Sequence, residues 1–231
     1  MASNYKNATV GSKDPLRRLS HNSRYLVAKS LIDPIGPQRV MDFGGGDGAF
    51  LSLLGVGSGD RAVSVLFEPY MQAEVGQFVH ATTWEQVQSI AAEEPFDVIS
   101  CQEVMEHLNP QRQVEALDRI AAVMAPAGRL ILSVPQEMGP VALVKNIGRW
   151  KFKKNHPQVY TAENLWKSLF GIPIPECRTE DKYLSHMGFY YTDLRRLIEQ
   201  RFVVERVVGS PFLRLPLLLN SQVFFVCRPK N

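Results

Sequence analysis

Long apolar runs are what this 231-residue chain most plainly lacks. Its richest patch, PFLRLPLLL at 211–219, is broken by arginine and proline and is far too short to cross a bilayer, which takes about 20 apolar residues. The opening MASNYKNATVGSKDPLRRLS has no apolar core of the kind a secretory signal carries, so the expected location is cytoplasmic. Cysteine is scarce as well. Cys101, Cys177 and Cys227 are odd in number and widely spaced, which excludes a disulfide framework and a zinc pattern and leads us to expect reduced thiols. An excess of one charge is also missing: 26 Lys and Arg against 23 Asp and Glu leave +3, which argues against a dedicated nucleic-acid binder. There are no internal repeats, and 45% apolar with 21% charged residues is the composition of one globular domain with its own core.

What the chain does have is an alternation of short apolar runs and helical patterns. RVMDFG, AVSVLFEP, GQFVHA, FDVISCQ and GRLILSVP have the length and composition of strands. Helical patterns fall at 49–54, 70–76, 83–94 and 111–126. In the last of these Val114, Leu117, Ile120, Ala121 and Met124 share a face, and Pro126, Ala127 and Gly128 end it. This order predicts a parallel sheet with helices on both faces. A single domain over 1–231 is expected, in four parts. Residues 1–36 form an N-terminal segment with a cap helix at 22–32, and 38–135 form a cofactor-binding core. Residues 136–190, rich in Pro and Gly, form an irregular inserted lid. Residues 191–231 close the fold with a helix N-capped by Thr192 and an antiparallel hairpin of RFVVERVVG and SQVFFVCRP.

The most informative stretch is VMDFGGGDGAFL at 40–51, where Asp42 ends a strand and Gly44, Gly45, Gly46 and Gly48 lead into an apolar helix. So many glycines cost too much chain entropy for a plain turn, and the arrangement lets a ligand lie against bare backbone at a helix start. Read as Gly44-x-Gly46-x-x-Ala49, with Glu68 about twenty residues on, the loop also satisfies the dinucleotide fingerprint. By itself it leaves the ligand open.

VMDFGGGDGAFL, VLFEP, FDVISCQEVMEHL and MAPAGRLILSVP, taken together and in this order over about 38–135, resemble the motif set of class I S-adenosylmethionine-dependent methyltransferases. The chain is similar in particular to quinone-biosynthesis-type and related small-molecule O-methyltransferases. The resemblance implies a Rossmann-like α/β fold: a seven-stranded sheet in the order 3-2-1-4-5-7-6, its last strand antiparallel, with helices on both faces. It also implies S-adenosylmethionine on Asp42, Gly44, Gly45, Gly46 and Gly48, with Glu68 and Pro69 at the ribose and Cys101, Gln102 and Glu103 along the methionine end. Where the family often has an acid facing adenine, this chain has Thr83 and Trp84. Asp42 and Asp47 fit this cofactor better than a dinucleotide, because a sulfonium and an ammonium group attract the acids that a pyrophosphate would repel.

CQEVMEHL places Glu103, Glu106 and His107 just after the fourth strand. It is similar to the same stretch in the quinone-type enzymes and in small-RNA 2′-O-methyltransferases, which hold a divalent metal on Glu-x-x-Glu-His and a later histidine. His186 is a later histidine here. Three readings stand side by side. His107, oriented by Glu106 or Glu103, removes a hydroxyl proton as general base, with His186 as second choice; Glu103, Glu106, His107 and His186 hold a divalent metal, the less favoured reading; or Glu106 caps a helix while His107 and His186 line a pocket.

KNIGRWKFKKN at 145–155 interleaves Lys145, Arg149, Lys151, Lys153 and Lys154 with Trp150 and Phe152. It reads either as a solvated charge run or as contact with an anionic acceptor. PFLRLPLLL reads as pocket lining, dimer contact or peripheral membrane contact. The expected function is methyl transfer to a small-molecule or lipid- or sugar-linked acceptor, at a hydroxyl. The alternatives are a metal-dependent RNA 2′-O-methyltransferase, a nicotinamide-dependent oxidoreductase and a non-catalytic methyltransferase-like module.

Overall fold

The computed structural model describes residues 15–55, 62–73, 77–152, 159–174 and 186–230. Lys153, Lys154 and Cys177 lie outside them, as do parts of the expected lid. Seven strands form one sheet: β1 (Arg39–Phe43), β2 (Val63–Phe67), β3 (Val79–Ala81), β4 (Phe96–Gln102), β5 (Met124–Pro135), β6 (Phe202–Ser210) and β7 (Gln222–Pro229). Their order is β3-β2-β1-β4-β5-β7-β6, and β7 runs antiparallel to both neighbours. The order and the antiparallel last strand are those expected from the sequence.

The central strands are apolar on both sides because both faces are covered. Successive residues of β1 point to opposite layers, as the pleat requires. Met41, Ile99, Leu132 and Phe225 pack with α4 (Pro110–Ala122) and α7 (Tyr191–Arg201) through Leu117, Ile120, Leu194 and Ile198. On the other face Val40, Val98, Ile131 and Phe224 meet α1 (Pro15–Ile32) and α2 (Ala49–Leu54) through Val27, Ala28, Ile32 and Phe50. The helix expected at 83–94 is α3 (Trp84–Glu93).

Four local expectations differ from the structure. Within 70–76, residues 70–73 are not helical; the Tyr70 amide donates to the Glu68 carboxylate at 2.9 Å, a local bond that competes with a helical turn. The helix expected to reach 126 ends at Ala122, and Met124 instead begins β5 opposite Phe96. Pro126 disfavours helical backbone at Ala125, so the chain leaves the helix before the proline is reached. Tyr190, not Thr192, occupies the N-cap of α7. The lid is not irregular where it is described: it holds α5 (Pro140–Phe152) and α6 (Ala162–Phe170). The Thr161 side chain accepts the Asn164 amide proton at the start of α6, and Gly171 closes it in the left-handed region at φ 66.

The antiparallel turn of the sheet has a positional consequence. Pro135 at the end of β5 lies opposite Gln222, and Gln222 lies opposite Ser210, so the β6–β7 connection sits at the same carboxyl edge as the glycine loop. Buried Asn220 holds that connection in shape. Its Oδ1 accepts from the Phe212 amide at 2.8 Å, and its Nδ2 donates to the carbonyls of Phe212 at 3.1 Å and Pro216 at 3.2 Å. Asn220→Ala should cost about 2 kcal/mol and lower the melting temperature by roughly 6 °C. A urea melt indistinguishable from the parent's would show that Asn220 does not hold the loop.

Candidate active site

The glycine loop is built around a carboxylate. Asp42, the last residue but one of β1, is almost fully buried, and the chain then passes through Gly44, Gly46 and Gly48 at φ 72, 61 and 80, a region that side chains avoid. A Cβ on Gly45 would lie 2.1 Å from Asp42 Oδ2, and one on Gly44 would lie 2.7 Å from the Val104 side chain. Gly48 has a different reason for its identity, since its Cβ would fall 2.3 Å from the Phe78 ring where α2 starts. Across the loop, Glu68 Oε2 accepts the Gly46 amide proton at 3.3 Å and Oε1 accepts that of Tyr70.

A cavity of about 420 Å³ opens at this edge, lined by Phe43, Gly44, Glu68, Pro69, Glu103, Val104, Leu108 and His107, with Arg112 and Arg119 of α4 on its far wall. The two arginines carry no signal in the sequence beyond their place on a helix facing the sheet edge. Asp42 is buried and is not part of this lining. Burial pushes its carboxyl up to about 7, against the pull of the Ser100 hydrogen bond and the Arg24 charge. The chain of contacts continues sideways, where Gln102 Nε2 donates to Ser100 Oγ at 2.9 Å. Thr83 and Trp84 stand outside the lining. Thr83 is the N-cap of α3, its amide donating to Gln86 Oε1 at 3.1 Å. Trp84 backs the wall, its ring 5.3 Å from that of Phe67 and 6.2 Å from that of Phe43. Cys101 is buried in the core, and burial drives its thiol well above the usual range.

Glu103 adopts a left-handed backbone at φ 56, alone among the described non-glycine residues. Such strain persists only where the surroundings hold it, and it clusters at functional sites. Burial raises the pKa of its carboxyl, while the charges of Arg24 and Lys145 lower it. Glu106, His107 and His186 are brought together. Their ligating atoms lie within 4.8 Å of one another, and the two imidazole rings meet edge to face at 5.0 Å. Glu106 is buried, whereas the His107 side chain is 56% exposed toward the cavity. Of the four residues considered for a metal, Glu103 lies outside this group.

A further charged centre carries no motif in the sequence. Glu137, buried just past β5, receives Lys145 Nζ at 2.9 Å and Arg149 Nη1 at 2.7 Å, both from α5. Burial works to raise the Glu137 carboxyl, and the two cations more than offset it, leaving it at about 2. Lys145 and Arg149 are four residues apart on one helix face, and that face points inward. The reading of 145–155 as a solvated run is therefore corrected for these two residues. Lys151 is exposed.

A family model described as a methyltransferase domain matches residues 14–169. The chain belongs to that methyltransferase family. Its fold recurs in a protein from Pyrococcus horikoshii OT3, with 17% identity, TM-score 0.58, and coverage of 97% of this chain and 96% of that one. It recurs in the N-methyltransferase NodS from Bradyrhizobium japonicum WM9, with 13% identity, TM-score 0.53, and coverage of 91% and 96%. It recurs also in the magnesium protoporphyrin IX methyltransferase of Synechocystis PCC 6803 with bound S-adenosylmethionine, with 13% identity, TM-score 0.53, and coverage of 99% and 91%. No curated protein matches the sequence. The protein is thus an enzyme of the methyltransferase class with a Rossmann-like fold. Among its described residues, no helix is long and apolar enough to cross a membrane.

His186 offers a test of the site's electrostatics. Burial holds its imidazole down at about 4 from 6.5, with Glu137 pulling the other way. A folded state that keeps the ring neutral has its full stability above pH 6.5 and loses it as the pH falls toward 4. Asp42 works in the opposite sense, because its raised pKa favours the folded state as acid is added. Comparison with His186→Gln separates the two. Between pH 7 and 4.5 the parent should lose about 2 to 3 kcal/mol relative to that variant in urea melts. A gap that stays constant with pH would mean that the ring is not held neutral.

Proposed function

We propose that this methyltransferase moves a methyl group from S-adenosylmethionine to a hydroxyl of a small-molecule or a lipid- or sugar-linked acceptor. The observation that carries this reading is His107, which stands on the wall of the same cavity as Glu68 and Glu103 with Glu106 and His186 at its side. Methyl transfer to oxygen is an in-line displacement: the acceptor oxygen bonds to the methyl carbon as the carbon–sulfur bond breaks, leaving S-adenosylhomocysteine. The enzyme has to align the atoms and take up the hydroxyl proton. His107 would accept that proton, with Glu106 and His186 fixing its ring. Glu68 would hold the ribose hydroxyls, the backbone of Gly44, Gly45 and Gly46 would pass along the cofactor, and Asp42 would sit below its positive end. Pro69 and Leu108, both in the lining, would border the adenine, with Trp84 as support from behind.

A nicotinamide reading finds less support. Tyr-x-x-x-Lys spacing occurs at Tyr25 and Lys29, but Lys29 is bound to Asp33 at 2.8 Å and to the Leu54 carbonyl at 3.3 Å. The cluster of Glu106, His107 and His186 does favour a second reading, in which a divalent metal assists. Two imidazoles and a carboxylate fit iron(II) or manganese, and a neutral His186 is in the ligating form. Such an ion, when bound, supplies Lewis acidity toward the acceptor hydroxyl.

Calorimetry should show S-adenosylhomocysteine binding and no NADH binding; the reverse would sink the proposal. The cationic S-adenosylmethionine should in addition expel the Asp42 proton near pH 7, so that its binding enthalpy varies with the buffer. Asp42→Asn should remove that dependence and weaken binding about tenfold or more. Against a panel of hydroxylated acceptors, the double variant His107→Ala/His186→Ala should lose at least about a hundredfold in turnover while still binding S-adenosylhomocysteine. Chelator treatment should leave the parent's turnover intact; loss of turnover restored by manganese would establish the metal reading in place of the general base.

A further inference from the structure

The two lid helices are folded inside out. α5 turns Lys145, Asn146 and Arg149 toward buried Glu137 and presents Val144, Ile147 and Trp150 outward, with Val144 70% and Trp150 58% exposed. α6 does the same: Asn164 and Ser168 are buried, while Trp166 and Phe170 are each 60% exposed and stack edge to face at 4.9 Å. The two helices meet through a polar contact, Asn146 Nδ2 to Ser168 Oγ at 3.3 Å. Beside them the β6–β7 loop exposes Phe212, Leu213, Leu215, Leu218 and Leu219, and Leu218 packs so closely on the start of α5 that a Cβ on Gly139 would lie 3.0 Å from it. In water this polarity is the reverse of what packing favours. Polar contacts between helices with apolar side chains outside are the arrangement of helices that face lipid.

We propose that α5, α6 and the β6–β7 loop form a face that seats the enzyme on an anionic membrane surface, lying in the plane of the interface. Charge selects this occupant over a second copy of the chain. Lys145 and Arg149 are bound to Glu137 and Lys167 to Glu163, so among the described residues the outer face keeps two exposed cations, Lys151 and Arg214, and no acid outside an ion pair. A two-fold pairing of this face would set like charges against each other, whereas an anionic leaflet complements them. Tryptophan flanked by basic side chains is the composition of the headgroup region. The helices, 13 and 9 residues long, are too short to span a bilayer and long enough to lie along it. The β6–β7 loop belongs to the sheet edge where the cavity opens. An acceptor with an apolar anchor would therefore reach the cavity from the leaflet; that consequence rests on the proposed function, and the docking itself does not.

The test is co-sedimentation of the full chain with vesicles of phosphatidylcholine alone and of phosphatidylcholine with about one third phosphatidylglycerol. The parent should pellet with the anionic vesicles, bind the neutral ones at least about tenfold more weakly, and be released in part by high salt. Tryptophan emission should shift to the blue on binding. Trp166→Ser/Phe170→Ser and, on a separate element, Leu213→Ser/Leu215→Ser should each lower partitioning by about tenfold or more while leaving the melting transition and S-adenosylhomocysteine binding in place. A parent that stays in the supernatant with both vesicle types overturns the proposal. So does a parent that ignores vesicles and forms a dimer these substitutions split, which would assign the face to a second copy. The parent's own partitioning separates these outcomes, whether or not every variant melts cooperatively.

Discussion

One buried carboxylate decides how the lid is oriented. Glu137 leaves β5 with almost no contact with water, and a charge in that position persists only if opposite charges reach it. Lys145 and Arg149 reach it from α5, and to do so the helix must turn its polar face inward. Arg149 also donates to Asn146 Oδ1 at 2.8 Å, and Asn146 contacts Ser168 of α6, so the orientation of the second helix follows from the first. The apolar outer surface of the lid is the remainder of that arrangement. The same carboxylate acts inward on the site, since its charge partly offsets the burial that keeps His186 neutral and raises the pKa of Glu103.

The carboxyl edge of the sheet holds more acid than it can keep ionised. Asp42 is pushed up to about 7 and Glu103 also upward, both chiefly by burial, while Arg24 of α1 draws both down. Asp42, near neutrality beside a loop whose glycines bring backbone within reach, marks a place where an arriving positive charge is stabilised by proton loss from the protein. A dinucleotide brings negative charge and meets the opposite response. The electrostatics of this edge thus point in the same direction as the family membership.

Much of this is legible in the sequence, for reasons tied to burial. The central strands read correctly because residues such as those of β1 are apolar on both sides, a pattern that no surface element imitates. Asp42, Glu68 and Glu103 are legible because each stands at the end of a strand or just after it. His186 enters only through resemblance, and the structure sets its ring 5.0 Å from that of His107. The lid helices escape such a reading because periodicity is normally interpreted with water outside. Val144, Ile147 and Trp150 lie on one side of α5 as a core stripe would, yet glycine and proline nearby suggest irregular chain. A single glutamate such as Glu137 has no periodic signature; only the i, i+4 spacing of Lys145 and Arg149 hints at a shared partner. Met124 fits the preceding helix by its spacing, and the proline two residues later outweighs that spacing.

The position of the lid's outer surface follows from topology. A strand added antiparallel to β5 must start at the edge where β5 ends, so the connection from β6 into β7 is forced to the carboxyl side. The insertion that follows β5 begins at the same edge. Two segments far apart in the chain, the lid that follows β5 and the loop beginning at Pro211, therefore meet at one edge of the sheet, where Leu218 lies against Gly139. Asp42, Glu68 and Glu103 take their places from β1, β2 and β4, although Lys145 of α5 acts electrostatically on Glu103. The two halves of the sheet thereby differ in what they carry: the parallel half holds the glycine loop and its acids, and the antiparallel strand gathers the lid and the β6–β7 loop beside them.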